Sequence, residues 1–232
     1  MTKLRPTRDG SATLYSERYA QTYASDRGAL SEARQVFLAG SGVEQRLAGG
    51  QSVRVLEVGF GTGLNFFVTA AARLAYPAAR LSYVALEHTL LDASTVRQLG
   101  YGPLLKSEVV AHYLAWRESV QATSPCVFET PQVKLTLLLG EATAQKLPVE
   151  AFHTVYHDAF SPDVNPELWT GDFLGTLVAA LAPGGTLVSY CVQGAVRRRL
   201  QALGLSAEKR SGPAGGKREV LFAQKPGQSG TR

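Results

Sequence analysis

The chain has 232 residues, of which 45% are hydrophobic and 19% are charged, and its formal net charge is +5. This length fits one α/β domain with additions, and the apolar fraction excludes a wholly disordered chain. No run of about 18 apolar residues is present, and the opening MTKLRPTRDG lacks the apolar stretch of a secretory signal. We therefore expect a cytoplasmic protein without a membrane segment.

The predicted elements begin with an N-terminal extension, residues 1–50, in which tyrosines 15, 19 and 23 precede the helical pattern SEARQVFLAGSGVEQRL. Strands are then predicted at VRVLEVGF, LSYVALE, VKLTLLLG, FHTVYHD and TLVSYC, and helices at LNFFVTAAARLAY, DFLGTLVAALA and GAVRRRLQALG. Residues 90–130 predict helix with irregular pieces, closed by a loop at SPCVFETPQ. LSAEKR and REVLFAQK predict two short final strands around a glycine-rich turn, and a flexible tail follows over residues 225–232.

This order of elements predicts the fold class. Strands that alternate with helices of about ten residues are typical of an α/β fold, with a mostly parallel sheet covered by helices on both faces. The closing pair of strands adds an antiparallel partner at the C-terminal edge.

Cysteine and histidine usage indicates neither a disulfide framework nor a metal site. Cys126 and Cys191 are the only cysteines, and we expect both to be core thiols. The histidines show no metal-ligand spacing; they are His88, His112, His153 and His157. We predict no metal.

Positive charge is concentrated near the C-terminus. Residues 197–232 contain nine basic and two acidic residues, whereas the rest of the chain contains 15 basic and 17 acidic residues. This asymmetry suits a polyanionic partner, because Lys and Arg side chains that contact phosphates release condensed counterions. A solvated basic face without a partner explains the same charges.

The sharpest motif is EVGFGTG, Glu57 to Gly63, between the first core strand and its helix. Glycines here let a ligand approach the backbone at the helix N-terminus. Dinucleotide-binding folds also place glycines at this turn, but their spacing is G-x-G-x-x-G. An acid two positions before the first glycine suits a cationic ligand better than a pyrophosphate.

Acids also follow the next two core strands. Glu87 ends the second strand, where a carboxylate can accept hydrogen bonds from ribose hydroxyls, and Glu141 follows the third, where it can accept from an adenine amino group. A surface helix cap is the alternative for Glu87. Acids after three strands surround one crevice, which resembles the S-adenosylmethionine site of class I methyltransferases.

The loop after the fourth core strand, HDAFSPDVNPELWT over residues 157–170, makes the resemblance specific. Its pattern D-x-F-x-P-x-x-N-P-x-x-W-T is similar to that of the methyltransferase domain of the MnmC family of tRNA modification proteins. Further matching segments are Tyr15 to Tyr23 with Asp26 and Gly28, residues 31–38, residues 57–66, and Lys217 to Glu219. The resemblance covers about residues 12–224.

The resemblance implies a Rossmann-like class I methyltransferase domain, residues 51–224, with a seven-stranded sheet and S-adenosyl-L-methionine as cofactor. It implies methyl transfer to the exocyclic amine of 5-aminomethyl-2-thiouridine at the tRNA wobble position. An FAD-dependent oxidoreductase domain has no room in 232 residues, so the substrate would arrive already in the aminomethyl form, or a separate enzyme would supply the other activity. The implied cofactor-binding residues are Glu57, Gly59, Phe60, Gly61, Gly63, Asn65, Glu87 and Glu141.

Catalysis is assigned to Asp158, which would bind and orient the amine; the alternative is that it caps the following turn. Phe160 and Pro162 are candidates for contact with the substrate base, whereas for Trp169 and His157 we favour structural roles. The remaining substrate-binding candidates are Arg34, which would help to shape the site, and Lys217 and Arg218, which would contact the tRNA backbone. The helix that carries arginines 197–199 is a further candidate for contact with the tRNA backbone. A salt bridge within its own helix is the alternative for Arg34.

Three positions depart from the family pattern: Ala159 replaces a glycine, Val164 a commonly basic residue, and Glu141 an aspartate. The loss of a basic side chain at 164 removes a phosphate contact and puts the substrate preference in question. The alternatives to a tRNA enzyme are a small-molecule amine methyltransferase and a non-catalytic module that binds S-adenosylmethionine or RNA.

Overall fold

A computed structural model describes residues 2–228. The chain opens with a small antiparallel sheet of three strands, β1 (Thr2–Pro6), β2 (Ala12–Ser16) and β3 (Gln21–Thr22). A helical segment follows, composed of α1 (Ala29–Glu32), a π-helical turn (Ala33–Ala39) and α2 (Val43–Ala48). It packs on the main sheet through Phe37, whose ring centroid lies 5.4 Å from that of Tyr156.

The main sheet has eight strands. In chain order they are β4 (Val53–Val58), β5 (Leu81–Glu87), β6 (Cys126–Glu129), β7 (Val133–Leu139), β8 (Phe152–His157), β9 (Leu181–Ser189), β10 (Ser206–Ser211) and β11 (Glu219–Gln224). Across the sheet the order is β10-β11-β9-β8-β4-β5-β7-β6. The inner pairs are parallel, whereas β6 and the β11–β10 hairpin pair antiparallel at the two edges.

The helices between these strands are α3 (Leu64–Leu74), α4 (Ala93–Gln98), α5 (Tyr101–Leu105), α6 (Glu108–Ser119), α7 (Gly171–Ala180) and α8 (Gly194–Ala202), with short 3-10 turns at Ala142–Ala144 and Pro166–Trp169. Alternate residues of β4 face opposite sides of the sheet. Val55 belongs to a core cluster with Phe66 and Tyr83, whereas Leu56 belongs to one with Trp169 and Leu174. Both faces of the sheet are therefore buried.

The prediction of a mostly parallel sheet with an antiparallel C-terminal edge is confirmed, but the expected count of seven strands is wrong by one. The additional strand is β6, which lies in the segment predicted as a loop. Prolines 125 and 131 flank it and gave that segment the composition of a turn. Burial nevertheless alternates along β6 as in a strand, since Cys126 and Phe128 are buried while Val127 and Glu129 are exposed.

Both cysteines are buried free thiols, as expected. The division into extension, core and tail stays a prediction. At the start of the expected tail, the Lys225 backbone N–H donates to Gly185 O at 2.9 Å and its ammonium donates to Leu181 O at 2.7 Å. Residues 229–232 of that tail lie outside the described residues.

The register of the parallel strands brings the ends of β4, β5 and β8 level with one another. Val58 pairs with Leu86 of β5 and with His157 of β8. The residues that follow these three positions are Gly59, Glu87 and Asp158, so they meet at the carboxyl edge of the sheet. Ligands of open α/β sheets bind at this edge.

Candidate functional site

A cleft of about 1420 Å³ opens at the carboxyl edge of the sheet. Its walls come from the N-terminal sheet, the glycine loop, the ends of β5 and β7, the loop after β8, and residues 217–219. Single small-molecule sites usually enclose roughly 300–1,000 Å³. The cleft is therefore large enough for a cofactor together with part of a second molecule.

The glycine loop is tightly held against its surroundings. Gly59 has φ +88°, and a Cβ there would lie 2.8 Å from Asp158 O, so no other residue fits without displacement. The Gly61 N–H donates to Glu87 Oε2 at 2.8 Å, and a Cβ at Gly61 would lie 2.9 Å from the Tyr23 ring. The loop thus turns beside both the β5 carboxylate and the N-terminal sheet.

Not all of the predicted cofactor residues reach the cleft. Glu57, which is 1% exposed, and Gly63 do not line it, whereas Phe60 does although its ring packs into the core 6.1 Å from the ring of Tyr113. Glu141 is exposed and its Oε1 lies 3.2 Å from His88 Nε2. The residues that line the cleft are Gly59, Phe60, Gly61, Asn65, Glu87 and Glu141.

Asn65 joins two carboxyl groups at the floor of the cleft. Its Nδ2 donates to Glu57 Oε1 at 2.9 Å and to Asp158 Oδ2 at 2.8 Å. The other carboxyl oxygen of Glu57 is buried and has no hydrogen-bond partner within residues 2–228. One amide therefore fixes the orientation of the Asp158 side chain relative to the glycine loop.

Three carboxyl groups near this point have raised pKa values. Burial raises the pKa of Glu57 to about 8. Burial, followed by the charges of Glu32 and Glu57, raises the pKa of Asp158 well above its usual range, and burial also raises the pKa of Glu32. Clustered, desolvated carboxyls favour their neutral forms until a cation enters, so the site is suited to positively charged ligands.

Sequence reasoning did not assign Glu32 to the site. Its Oε2 accepts from the Ser25 N–H at 3.0 Å, and its side chain lines the cleft although only 7% of it is exposed. A signal was present, because Glu32 stands three residues after Ala29 and four before Val36, both of which are buried. An acid in an apolar helical stripe is a candidate functional group.

The loop after β8 forms an aromatic wall with the N-terminal sheet. The Phe160 ring centroid lies 4.4 Å from that of Tyr19 and 5.2 Å from that of Tyr23. Next to this contact, Gln21 Nε2 donates to Ser161 Oγ at 2.7 Å and the Ser161 N–H donates to Gln21 Oε1 at 3.2 Å. Pro162 lines the cleft beside these residues. The contribution of Gln21 was not predicted.

His157, at the end of β8, and Trp169 are buried against each other beneath this loop, an arrangement that fits the structural roles favoured from the sequence. The His157 ring is fully buried and stacks on Trp169 with centroids 4.1 Å apart, and its Nε2 lies 2.9 Å from Leu168 O. Burial lowers the pKa of His157 to about 4. Trp169 Nε1 donates to Phe160 O at 2.9 Å, and this hydrogen bond holds the loop backbone at Phe160 in place.

The structure separates the predicted basic residues. Lys217 and Arg218 line the cleft, and Lys217 Nζ lies 3.9 Å from the centre of the Tyr190 ring. Arg34 does not reach the cleft; it is exposed and borders a separate groove with Glu44 and Val68. Arginines 197–199 also lie off the cleft lining, and Arg199 Nη1 donates to Trp169 O at 2.7 Å.

Two kinds of feature are absent from the part of the chain that the structure describes. Across residues 2–228, no group of three or more His, Cys, Asp or Glu side chains is arranged to hold a metal ion. Over the same described residues, no helix combines the length and the apolar character needed to cross a membrane.

Curated relatives match nearly the whole chain. The tRNA 5-methylaminomethyl-2-thiouridine biosynthesis bifunctional protein MnmC of Cupriavidus metallidurans is 36% identical over 228 residues, covering 94% of this chain and 33% of that protein. The protein of the same name from Thiobacillus denitrificans is 38% identical over 228 residues, covering 96% of this chain and 36% of that protein. The chain thus spans about a third of the length of the curated relatives it matches.

Solved structures agree with the fold. MnmC2 from Aquifex aeolicus superposes with a TM-score of 0.79 at 28% identity, covering 98% of this chain and 72% of that one. Spermidine synthase from Thermotoga maritima shares the fold, with a TM-score of 0.58 at 14% identity over 97% of this chain and 69% of that one. A family model for S-adenosyl-L-methionine-dependent methyltransferases matches residues 104–226, which is more than half of the chain. Together with the glycine loop and the acids that surround it, this match shows that the chain belongs to the S-adenosyl-L-methionine-dependent methyltransferases.

Proposed function

We propose that this chain methylates the primary amine of 5-aminomethyluridine, or its 2-thio form, at the wobble position of tRNA, giving the 5-methylaminomethyl product. The observation that carries the proposal is the placement of Asp158, whose backbone adjoins Gly59 and whose carboxyl group accepts from the Asn65 amide at the floor of a cleft large enough for a cofactor and part of a second molecule. The similarity to MnmC proteins supports the tRNA substrate.

The residues present fit S-adenosyl-L-methionine. Gly59 and Gly61 leave no room for a side chain where a ligand would meet the loop, and Glu87 lies half-buried at the end of β5. The unpartnered oxygen of Glu57 and the Asn65 amide supply polar groups below the loop, and Glu141 supplies a carboxylate at the outer end. The bound cofactor would supply an electrophilic methyl group on a sulfonium.

The protein's own contribution is to hold the amine and remove its charge. An alkylamine has a pKa of about 10.4 and must lose a proton before it can act as a nucleophile. Asp158 would accept a hydrogen bond from the ammonium and, when ionised, receive its proton directly or through water. The deprotonated amine, held by Asp158, would then be the nucleophile for the methyl group that the bound cofactor supplies. Holding the amine nitrogen about 3–3.5 Å from the methyl carbon would supply most of the rate acceleration.

The test is methyl incorporation from labelled S-adenosylmethionine into tRNA that carries 5-aminomethyluridine, followed by nucleoside mass analysis. We expect 5-methylaminomethyluridine with the wild-type protein and at least a hundredfold slower transfer with Asp158→Asn, since general acid–base groups contribute about 10²–10⁴-fold. Asp163→Asn is the matched control, because Asp163 is exposed in the same loop and outside the cleft lining. Cofactor binding without transfer to this tRNA would contradict the proposal and favour a small-molecule amine or a binding module.

A further inference from the structure

We infer that the N-terminal sheet is a docking face for single-stranded RNA next to the target nucleoside, with Tyr19 stacking on a base and Arg5 and Arg18 binding phosphates. The inference rests on the proposed function, since it places the nucleotides that flank the methylated one. The C-terminal basic stretch was the expected polyanion surface, so this face is an addition from the structure.

Arginines and tyrosines are interleaved on this face. Arg5, Tyr15, Arg18 and Tyr19 all line the cleft. The Arg5 guanidinium carbon lies 4.8 Å from the centre of the Tyr15 ring, and that of Arg18 lies 5.2 Å from the centre of the Tyr19 ring. Aromatic rings beside cations are the combination that binds unpaired nucleotides, since bases stack on the rings while cations follow the backbone.

The face is continuous with the reacting site. Tyr19 is partly exposed, its ring lies close to that of Phe160, and Phe160 follows Asp158 by two residues. The paired Gln21–Ser161 hydrogen bonds fix the hairpin that carries Tyr19 to the same loop. A nucleotide stacked on Tyr19 is therefore adjacent to one whose base enters the cleft beside Phe160.

The charges on this face are free to bind an anion. Arg5 and Arg18 are exposed, and within residues 2–228 neither forms an ion pair with a carboxylate. The neighbouring Lys3 is paired with Glu17 at 2.7 Å.

The C-terminal basic stretch is partly compensated by nearby carboxylates. Lys209 is paired with Glu219 at 2.7 Å, and Arg210 with Glu208 at 2.8 Å. The stretch reaches the cleft through Lys217 and Arg218, which line the side opposite the N-terminal sheet. The two sides are joined by Arg27, whose Nη1 donates to Gly216 O at 3.3 Å. Cations without a carboxylate partner among the described residues therefore border the cleft on both sides, Arg5 and Arg18 at the N-terminal sheet and Lys217 and Arg218 opposite.

The experiment measures binding of a synthetic, unmodified anticodon stem-loop RNA to the full chain at several salt concentrations, without cofactor. We expect Arg5→Gln/Arg18→Gln to lower the slope of log affinity against log salt by roughly 1.4, because each phosphate contact to a single strand contributes about 0.7. Arg80→Gln is the matched control; Arg80 is exposed, precedes β5 and lies outside the cleft lining, so its slope should equal that of the wild type.

Stacking is tested separately. Tyr19→Leu should weaken RNA binding by about 5- to 150-fold, whereas Tyr19→Phe should restore it, since the ring and not the hydroxyl is required. Binding of S-adenosylmethionine should be unchanged in all variants, which shows that the cleft remains folded. If the double variant loses cofactor binding, Arg18→Gln alone, in the turn after β2, gives the same test with half the change in slope.

The outcomes separate this inference from the proposed function. Unchanged RNA affinity and salt slope in the Arg5, Arg18 and Tyr19 variants, while the wild type methylates tRNA, would overturn the docking face and leave the function standing. Reduced RNA affinity in those variants, while the wild type transfers no methyl group, would support the docking face and overturn the proposed substrate.

Discussion

The buried carboxyl group of Glu57 should make folding stability depend on pH. Burial raises its pKa from 4.5 to about 8 in the folded chain. Between these values the folded state holds a proton that the unfolded state has released. Stability from this group therefore falls as pH rises through that window. Glu57→Gln removes the titration and keeps an acceptor for the Asn65 amide, which donates to Glu57 Oε1 at 2.9 Å.

The magnitude follows from the linkage relation. One proton bound in the folded state alone changes the free energy of unfolding by about 1.4 kcal/mol per pH unit. Between pH 6 and 7.5 the wild type should therefore lose about 2 kcal/mol that Glu57→Gln retains. Asp158 and Glu32 also titrate at raised pKa and both remain in the variant, so the difference between the two proteins reports Glu57 together with its charge interaction with Asp158.

Urea unfolding at half-unit pH steps, followed by tryptophan fluorescence, measures this difference. The exposed Glu44 offers a matched control, and Glu44→Gln should track the wild type at every pH. Parallel stability curves for the wild type and Glu57→Gln over this range would refute the reasoning, because they would mean that Glu57 is ionised in the folded chain at pH 6.

Two further predictions concern the loop and the histidine. Gly59→Ala should abolish measurable S-adenosylmethionine binding in calorimetry while Gly50→Ala should not: both residues have positive φ, but only the Cβ at 59 meets backbone, at 2.8 Å from Asp158 O. Equal affinities would show that the loop tolerates a methyl group. The second prediction concerns His157, whose pKa burial lowers from 6.5 to about 4. Between these values the folded state binds fewer protons than the unfolded state. The free energy of unfolding should therefore fall as the pH drops through this window. Thermal unfolding from pH 6.5 to 4.5 should show a shallower fall for His157→Asn than for the wild type and the exposed-site variant His112→Asn; the same fall in all three would contradict the assignment.

The central strands and the glycine loop could be predicted because their signals are local. Buried apolar runs identify β4 and β5, and the G-x-G-x-G spacing after β4 places the loop at the carboxyl edge. Pro166 opens the 3-10 turn, a position where the missing N–H of a proline costs nothing, so this start is also a local signal.

The remaining features depend on helix phase and on distant contacts. Glu32 and Arg34 are two residues apart on one helical segment, so they point in different directions; Glu32 enters the cleft and Arg34 faces solvent. The pairing of Gln21 with Ser161 has no local signal, because each residue is an ordinary polar side chain in its own segment. Tertiary contact, and not composition, gives these residues their roles.

The contacts that close the cleft also bear on the order of folding. Gln21 and Ser161 are separated by 140 positions along the chain, and Arg27 and Gly216 by 189. Such long loops carry a large closure entropy, so contacts of this kind form after local structure. A nascent or partly unfolded chain with its main sheet already assembled would lack the contacts that hold the N-terminal sheet against the rest of the cleft. Capacity to capture either ligand should therefore be the last property gained in refolding and the first lost under mild denaturant.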